Sequence, residues 1–473
     1  MKSREECPRQ VEAKEFEIWC DEEADKILLE SLKSASNFLE DIANVNVMPS
    51  MAEISRNPKY DFLRQIVNYD RADICIFHKR KPILIVEITE HGYTGDNSLQ
   101  RFARIANSGE LGVPFMYFTP FSRTRIDEIE SSERATSKRH VSRHLFEGFR
   151  RIYDIHAVPI MPFDWIVDKK GLPKTVKLTA RAEEKIAIFG ELLRSIEHFC
   201  CCHALDIEQR KNLSACPQVI ERMGLVDELI SKIPVRTSDV KTSNVPFKTV
   251  VDLIYAPEKI AGFVGGGEDY FFKGKDHKLV TLMCLQRSTI GKVQTTEGTM
   301  IDKPSKKEDL IKLLPKELSQ RESVLYFCGY EKRSEPNGGT VVNLDYCLCR
   351  TGKTVKDRRY NLIVIWPRVF FDNGNTVLKS LVEDLKLTAN GNATVLSALI
   401  KTKSESRGEE LSAHKYVKFT KSSIGFWKED DTIGRIYRSF CDILLLNDAL
   451  LLGKHWLPTP NRKRSLPKWF SKD

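Results

Sequence analysis

The stretch YDRADICIFHKRKPILIVEITEHG, Tyr69 to Gly92, sets two short apolar runs on either side of a basic cluster, and few local structures accept that pattern. Residues 74–77 and 83–88 are short and rich in Ile, Val and Leu, so they read as buried strands. His78 to Pro82 is charged and closes on proline, which makes it a hairpin tip. Pairing Asp73 with Glu87 sets Ile74 against Val86, Ile76 against Leu84 and His78 against Pro82, leaving Lys79, Arg80 and Lys81 as the turn. The Cβ atoms of Asp73 and Glu87 then lie roughly 5 Å apart at the open end. Thr89, two residues beyond Glu87, points to the same face, and Ile88 to the other.

Two neighbouring carboxylates repel, and one stays protonated unless a cation joins them. Mg²⁺ suits such a pair, because it takes one or two carboxylates together with waters and phosphate oxygens. Its chemistry is to acidify a coordinated water and to stabilise charge on a phosphoryl oxygen. The plainer alternative has Asp73 opening a strand at the surface and Glu87 forming an ordinary ion pair with Arg71 or a lysine.

Downstream, SLQRFARIA (Ser98 to Ala106) carries Leu99, Phe102, Ala103 and Ala106 at helical spacing, and VPFMYF (Val113 to Phe118) reads as a buried strand. The order hairpin, helix, strand makes the last strand parallel to that of Glu87 through a right-handed crossover. An earlier helix is expected over about Glu22 to Ala43, with Ala24, Leu28, Leu32, Ala35, Leu39 and Ile42 on one face. The α-β-β-β-α-β order, with Asp opening one strand and Glu-x-x closing the next, resembles the PD-(D/E)XK nuclease superfamily, best known from type II restriction endonucleases. The resemblance covers roughly residues 20–160 and rests on a short, degenerate motif. It implies a restriction-endonuclease-like core, a mixed sheet flanked by helices, with Asp73 and Glu87 as ligands of Mg²⁺. Thr89 stands where the family most often has lysine, a departure that leaves the third catalytic group open. Family members often add an acid from the first helix, for which Glu23, Glu30 and Glu40 are all candidates.

The turn cations are poor substitutes for that lysine. Lys79 is six residues along the strand from Asp73, some 20 Å at about 3.3 Å per residue. The helix after Thr89 starts from the acid end instead, so Gln100 or Arg104 is expected to supply the missing catalytic group, with Arg101 beside them on phosphate. In SKRHVSRHLFEGFRRIYDI (Ser137 to Ile155), Arg139, Arg143 and Arg150 fall within about 40° on one helix face, and Leu145, Phe149 and Ile152 form another. Such a cationic stripe suits a DNA phosphate backbone, and a merely solvated helix is the alternative.

The remaining features set limits. With 473 residues, 41% hydrophobic and 29% charged, the chain can form two or three domains. It holds no run of ~20 apolar residues to span a membrane, and MKSREECPRQ carries no apolar leader. The 12 cysteines are few for a disulfide scaffold and fit a reduced, cytoplasmic setting. The net charge of +9 leans mildly toward polyanions. Cys200, Cys201, Cys202, His203 and Cys216 lack the paired spacing of a zinc site, and Gly265 to Lys275 reads as a turn, not a phosphate loop. The expected organisation is a nuclease-like domain over 1–175, a helical connector over 176–240 and an α+β DNA-recognition domain over 241–473. In that last region SVLYFCGY, TVVNLDYCLC and YNLIVIWPRVFF read as strands, and DTIGRIYRSFCDILLLNDALLL as a helix.

The expected activity is a metal-dependent endodeoxyribonuclease of the restriction type acting on double-stranded DNA, with a homodimer as a further expectation. The rivals are a structure-specific defence or repair nuclease, and a nuclease fold that binds DNA without turnover.

Overall fold

The computed structural model describes residues 15–32, 39–40, 42, 44–89, 99–121, 143–165, 182–203, 213–233, 244–256, 290–327, 335–366, 370–372, 416–418, 432–446 and 449–458. It is an α/β protein with two mixed sheets in two compact units. One unit comprises Met1–Val235 with Gly338–Cys347, the other Arg236–Asn337 with Leu348–Asp473. Among the described residues no helix is long and apolar enough to cross a membrane.

The first unit is built on six strands: β1 (Phe16–Cys20), β2 (Asn44–Val47), β3 (Ile74–His78), β4 (Lys81–Ile88), β5 (Phe115–Thr119) and β6 (Ile160–Asp164), in the order β2-β1-β3-β4-β5-β6. β3 is antiparallel to both its neighbours, and β4, β5 and β6 run parallel. Its helices are α1 (Glu23–Leu32), α2 (Phe102–Leu111), α3 (Arg143–His156), α4 (Ala182–His203) and α5 (Pro217–Lys232). Successive strand residues face opposite ways. Tyr117 meets Phe149 of α3 at 5.9 Å, and Phe118 meets Phe189 of α4 at 5.3 Å, so the sheet carries helices on both faces. The stretch expected as a connector holds α4 and α5, which pack on α1, β4, α3 and β6 within this unit.

The helix expected over 22–43 is helical at Glu23–Leu32 and again at 39–40, with 33–38 outside the described residues. Two local readings are corrected. β1, missed in the sequence, precedes α1 and pairs with β3, supplying the inner neighbour of the hairpin. The hairpin keeps Ile74 opposite Val86 and Ile76 opposite Leu84, then shifts register so that Phe77 faces Pro82 and His78 faces Lys81. Ile83 is the extra residue of a bulge, and the turn shrinks to Lys79-Arg80, with φ of 50° and 61°. Both positive φ values are those of a type I′ turn, whose twist matches the strands and outweighs the local cost.

The chain continues in order through β7 (Asn244–Pro246), α6 (Phe247–Tyr255), β8 (Lys292–Gln294), β9 (Met300–Asp302), β10 (Glu322–Phe327), α7 (Glu335–Leu344), β11 (Asn361–Ile365), α8 (Thr432–Phe440), β12 (Ile443–Leu445) and β13 (Ala449–Leu452), all in the second unit except α7, which belongs to the first from Gly338 on. The sheet order is β7-β10-β11-β12-β13-β8-β9, with β10, β11 and β12 parallel at its centre. TVVNLDYCLC, expected as a strand in a hairpin, is the end of α7 and a π-helical turn over Asp345–Cys349. Adjacent parallel strands require a crossover, usually a helix, and burial of every residue from Val341 to Tyr346 erased the alternation that would have separated the two states. The expected helix over DILLLNDALLL is the antiparallel pair β12–β13 instead, its continuous leucines being those of a sheet interior. Asp442 pins this sheet. Its carboxylate accepts hydrogen bonds from Leu362 N–H (2.8 Å) and Trp456 Nε1 (2.9 Å), and lies 3.3 Å from Arg358 Nη1. Burial alone would raise its pKa, but Arg358 and the bond to His455 hold it below the ordinary value.

Close helix packing in the first unit depends on glycine at one crossing. A Cβ on Gly148 of α3 would stand 2.4 Å from the Phe102 ring and 2.6 Å from Asn343 Nδ2, whereas one on Gly224 of α5 would meet nothing within 4 Å. Gly148→Ala is therefore expected to destabilise by about 1–3 kcal/mol, and Gly224→Ala to stabilise by roughly 0.5–1 kcal/mol. Urea melts of the two variants check both signs.

Candidate functional site

At the end of the sheet where β4 finishes, Asp73 and Glu87 come together as the hairpin pattern requires. Glu87 is fully buried, and Asp73 is half-buried, with 16% of its side chain exposed. The backbone N–H of Ile88 donates to Asp73 Oδ2 at 2.6 Å, which fixes that carboxylate with Oδ1 on the Arg104 side. The cation beside them is Arg104, two residues into α2. Its Nη1 straddles both oxygens of Glu87, at 2.7 and 2.8 Å, and stands 3.6 Å from Asp73 Oδ1. Its Nε donates to Asp70 Oδ2 at 2.8 Å. Arg101 adds Nε at 3.1 Å from Glu87 Oε1. Arg71, the other partner considered for Glu87, pairs with Asp21 at 2.7 Å.

Burial, and next the neighbouring Glu87 carboxylate, push the Asp73 carboxyl well above its usual range, against the pull of Arg104. For Arg104, burial opposes the charge, but Glu87, Asp70 and Asp73 more than compensate and hold the guanidinium firmly protonated. Asp25, in the first turn of α1, belongs to the same field: burial raises its pKa to about 6, and Asp21, Glu22 and Glu87 add to the rise. Among the described residues, three acids (Asp70, Asp73 and Glu87) thus lie against two guanidiniums (Arg101 and Arg104), while Asp21 is paired with Arg71. That excess of carboxylate, with Asp73 Oδ1 only 3.6 Å from Arg104 Nη1, is the donor chemistry a Mg²⁺ ion accepts. No three His, Cys, Asp or Glu side chains among the described residues converge as a closed metal centre does.

The other expected residues are placed as follows. Thr89 is buried, and its backbone N–H bonds to Phe118 O at 2.8 Å. Its hydroxyl lies within reach of Tyr117, as does that of Thr119, and none of the three hydroxyls closes a well-aligned hydrogen bond. Gln100 is half-buried on the turn before α2. Arg143 is engaged by Glu147 at 2.7 Å, and Arg150 by Asp154 and Asp227, both at 3.1 Å. Leu145, Phe149 and Ile152 are fully buried on the docking face, and Arg139 lies outside the described residues. The turn cations lie at the far end: Lys79 pairs with Glu15 at 2.9 Å, and Arg80 stacks over Phe62.

Sequence reasoning missed Asp25 and Asp70. Of the first-helix acids it considered, Glu23, Glu30 and Glu40 are all exposed. A usable signal existed, because Asp25 shares a helical face with Leu28, Leu29 and Leu32 at spacings of three, four and seven residues. Asp70 stands three residues before Asp73 in the same loop, and nothing in the local pattern marks it as an arginine partner.

The raised Asp25 pKa carries a pH signature. The folded state holds this proton up to about pH 6, while the unfolded chain releases it near 4. Stability then falls as pH rises through that window, because the folded state binds more protons than the unfolded one. Asp25→Asn removes the effect. Its melting temperature relative to wild type should climb between pH 4 and 6.5 and level off above. Parallel curves would remove Asp25 from the cluster.

Comparison with known proteins returned no matching family model, no matching curated protein and no matching solved structure.

Proposed function

We propose that the first unit is a metal-dependent endodeoxyribonuclease and that the acid cluster at the end of β4 is its active site, with double-stranded DNA as substrate. The observation that carries this reading is the meeting of Asp73 and Glu87 with Arg101 and Arg104, at the start of α2, where the central strand β4 ends, in a chain whose strand–hairpin–helix–strand order resembles the PD-(D/E)XK core. Asp73 and Glu87 would hold Mg²⁺, with Asp25 in the place of the first-helix acid. A divalent ion there would supply a nucleophilic water and offset charge on the phosphoryl oxygen. Arg104 would stand in for the family's missing lysine, with Arg101 beside it on phosphate, where a guanidinium can stabilise developing negative charge. Thr89 cannot, since its hydroxyl is turned inward toward Tyr117. Arg143 and Arg150 serve the phosphate backbone; their present partners are part-exposed ion pairs worth little, which DNA displaces at small cost. In this reading the second unit contributes target recognition, and the restriction type is preferred over a structure-specific nuclease.

One observation favours a second reading, a DNA-binding protein without turnover: Arg104 already neutralises both oxygens of Glu87. Incubating the full chain with supercoiled plasmid and Mg²⁺ separates the three. Discrete fragments, smears and uncut but retarded circles correspond to restriction, structural and inactive proteins. In an active protein Asp73→Asn and Glu87→Gln should each lower the single-turnover rate by at least ~10³-fold. The double variant Lys79→Ala, Lys81→Ala should cut normally, weakening DNA binding at most.

A further inference from the structure

We propose that Arg104 is an exchangeable internal counter-ion: it fills the divalent-cation position between Glu87 and Asp73, and cation binding moves it onto Asp70. This rests on the nuclease reading and says how that site is kept closed. Three observations carry it. A single nitrogen, Nη1, touches both Glu87 oxygens and approaches Asp73 Oδ1, a point-like contact in the place of an ion and unlike the parallel two-nitrogen fork that arginine usually offers a carboxylate. A second anchor exists on the same guanidinium, since Nε is already bonded to Asp70, a third exposed and at the mouth of the cluster. Finally, the cluster has more carboxylates than guanidiniums, so a guanidinium withdrawn from Glu87 leaves an acid pair that needs a cation.

The consequence is competition. One cation cannot occupy Glu87 until the other has left, and Asp70 makes leaving cheap by keeping the arginine paired. Once displaced, Arg104 stays paired through Asp70, to which its Nε is already bonded.

Mn²⁺ binding by the full chain, followed by calorimetry and by the loss of the free-ion electron paramagnetic resonance signal, tests this without any turnover. Arg104→Met removes the competitor and should tighten Mn²⁺ binding by tenfold or more. Asp70→Asn removes the alternative anchor and should weaken it. Opposite signs are the expected result, because a purely structural ion-pair network predicts losses in both. If Arg104→Met fails to fold, by circular dichroism and melting, Arg104→Lys replaces it. A lysine keeps the charge but cannot span from Asp70 to Glu87, so a smaller gain is expected, and no gain overturns the proposal. Wild type binding Mn²⁺ with a folded Arg104→Met binding no tighter overturns the exchange and leaves the metal site standing. No binding by any of these proteins overturns both.

Discussion

The contact between Arg104 and Glu87 is the interaction on which the first unit depends. A fully buried carboxylate at the end of a central strand is costly in isolation, and its only tolerable states are protonated, paired or metal-bound. Pairing it with an arginine of α2 fixes where that helix sits, because Nη1 reaches both Glu87 oxygens only if α2 starts near the end of that strand. The same guanidinium holds the Asp70 loop, and Asp73 is fixed in turn by the Ile88 N–H. Breaking such a pair by removing one partner typically costs about 3–5 kcal/mol. A network of that strength is structural cement as well as potential machinery, and the two roles are compatible: a site preorganised by its own charges needs little rearrangement when a ligand replaces one of them.

The parts of this arrangement that were legible in the sequence are those governed by local pattern. The alternation of DICIF against ILIVE set Ile74 opposite Val86, and hence brought Asp73 to Glu87. The helical spacing of Leu99, Phe102, Ala103 and Ala106 put Arg101 and Arg104 on an element leaving the acid end. What stayed hidden depends on distant partners. β1 is five residues long, and it is a strand because β2 and β3 flank it, not because of its own periodicity. Asp70 gains its meaning from an arginine 34 positions away. The bulge at Ile83 arises from fitting a two-residue turn to a strand that contains proline, a compromise that simple pairing cannot anticipate.

The second unit repeats the lesson in reverse. There the apolar content is so high that period disappears: Leu444 to Leu446 and Leu450 to Leu452 are buried on both sides, as the interior of a mixed sheet demands. The residue that organises this sheet is again a buried acid. Asp442 bridges the backbone of β11 to Trp456 and Arg358, so each unit rests on a carboxylate paired with arginine. In one it is sealed by backbone and ring N–H groups; in the other it stands beside a surplus of acids.

The path of the chain between the units bears on how the protein is made. The segment Gly338–Cys347 lies in sequence between two neighbouring strands of the second sheet, yet it completes the first unit. There Gly339 abuts the Leu99 carbonyl so closely that a Cβ would fall 1.7 Å from it, Asn343 donates to His144 O at 2.9 Å, and Tyr346 bonds to His156 at 3.0 Å. Domains generally fold as units, the N-terminal one first, as they leave the ribosome. This one cannot finish in that order. The helices carrying Arg104 and Arg143 must wait, with the faces that receive this segment still open to solvent, until residue 347 has emerged, by which time most strands of the second sheet are also in hand. The two units are therefore bound to a common folding schedule, and a chaperone that shields α2 and α3 during synthesis would meet the nascent chain at its most vulnerable stage.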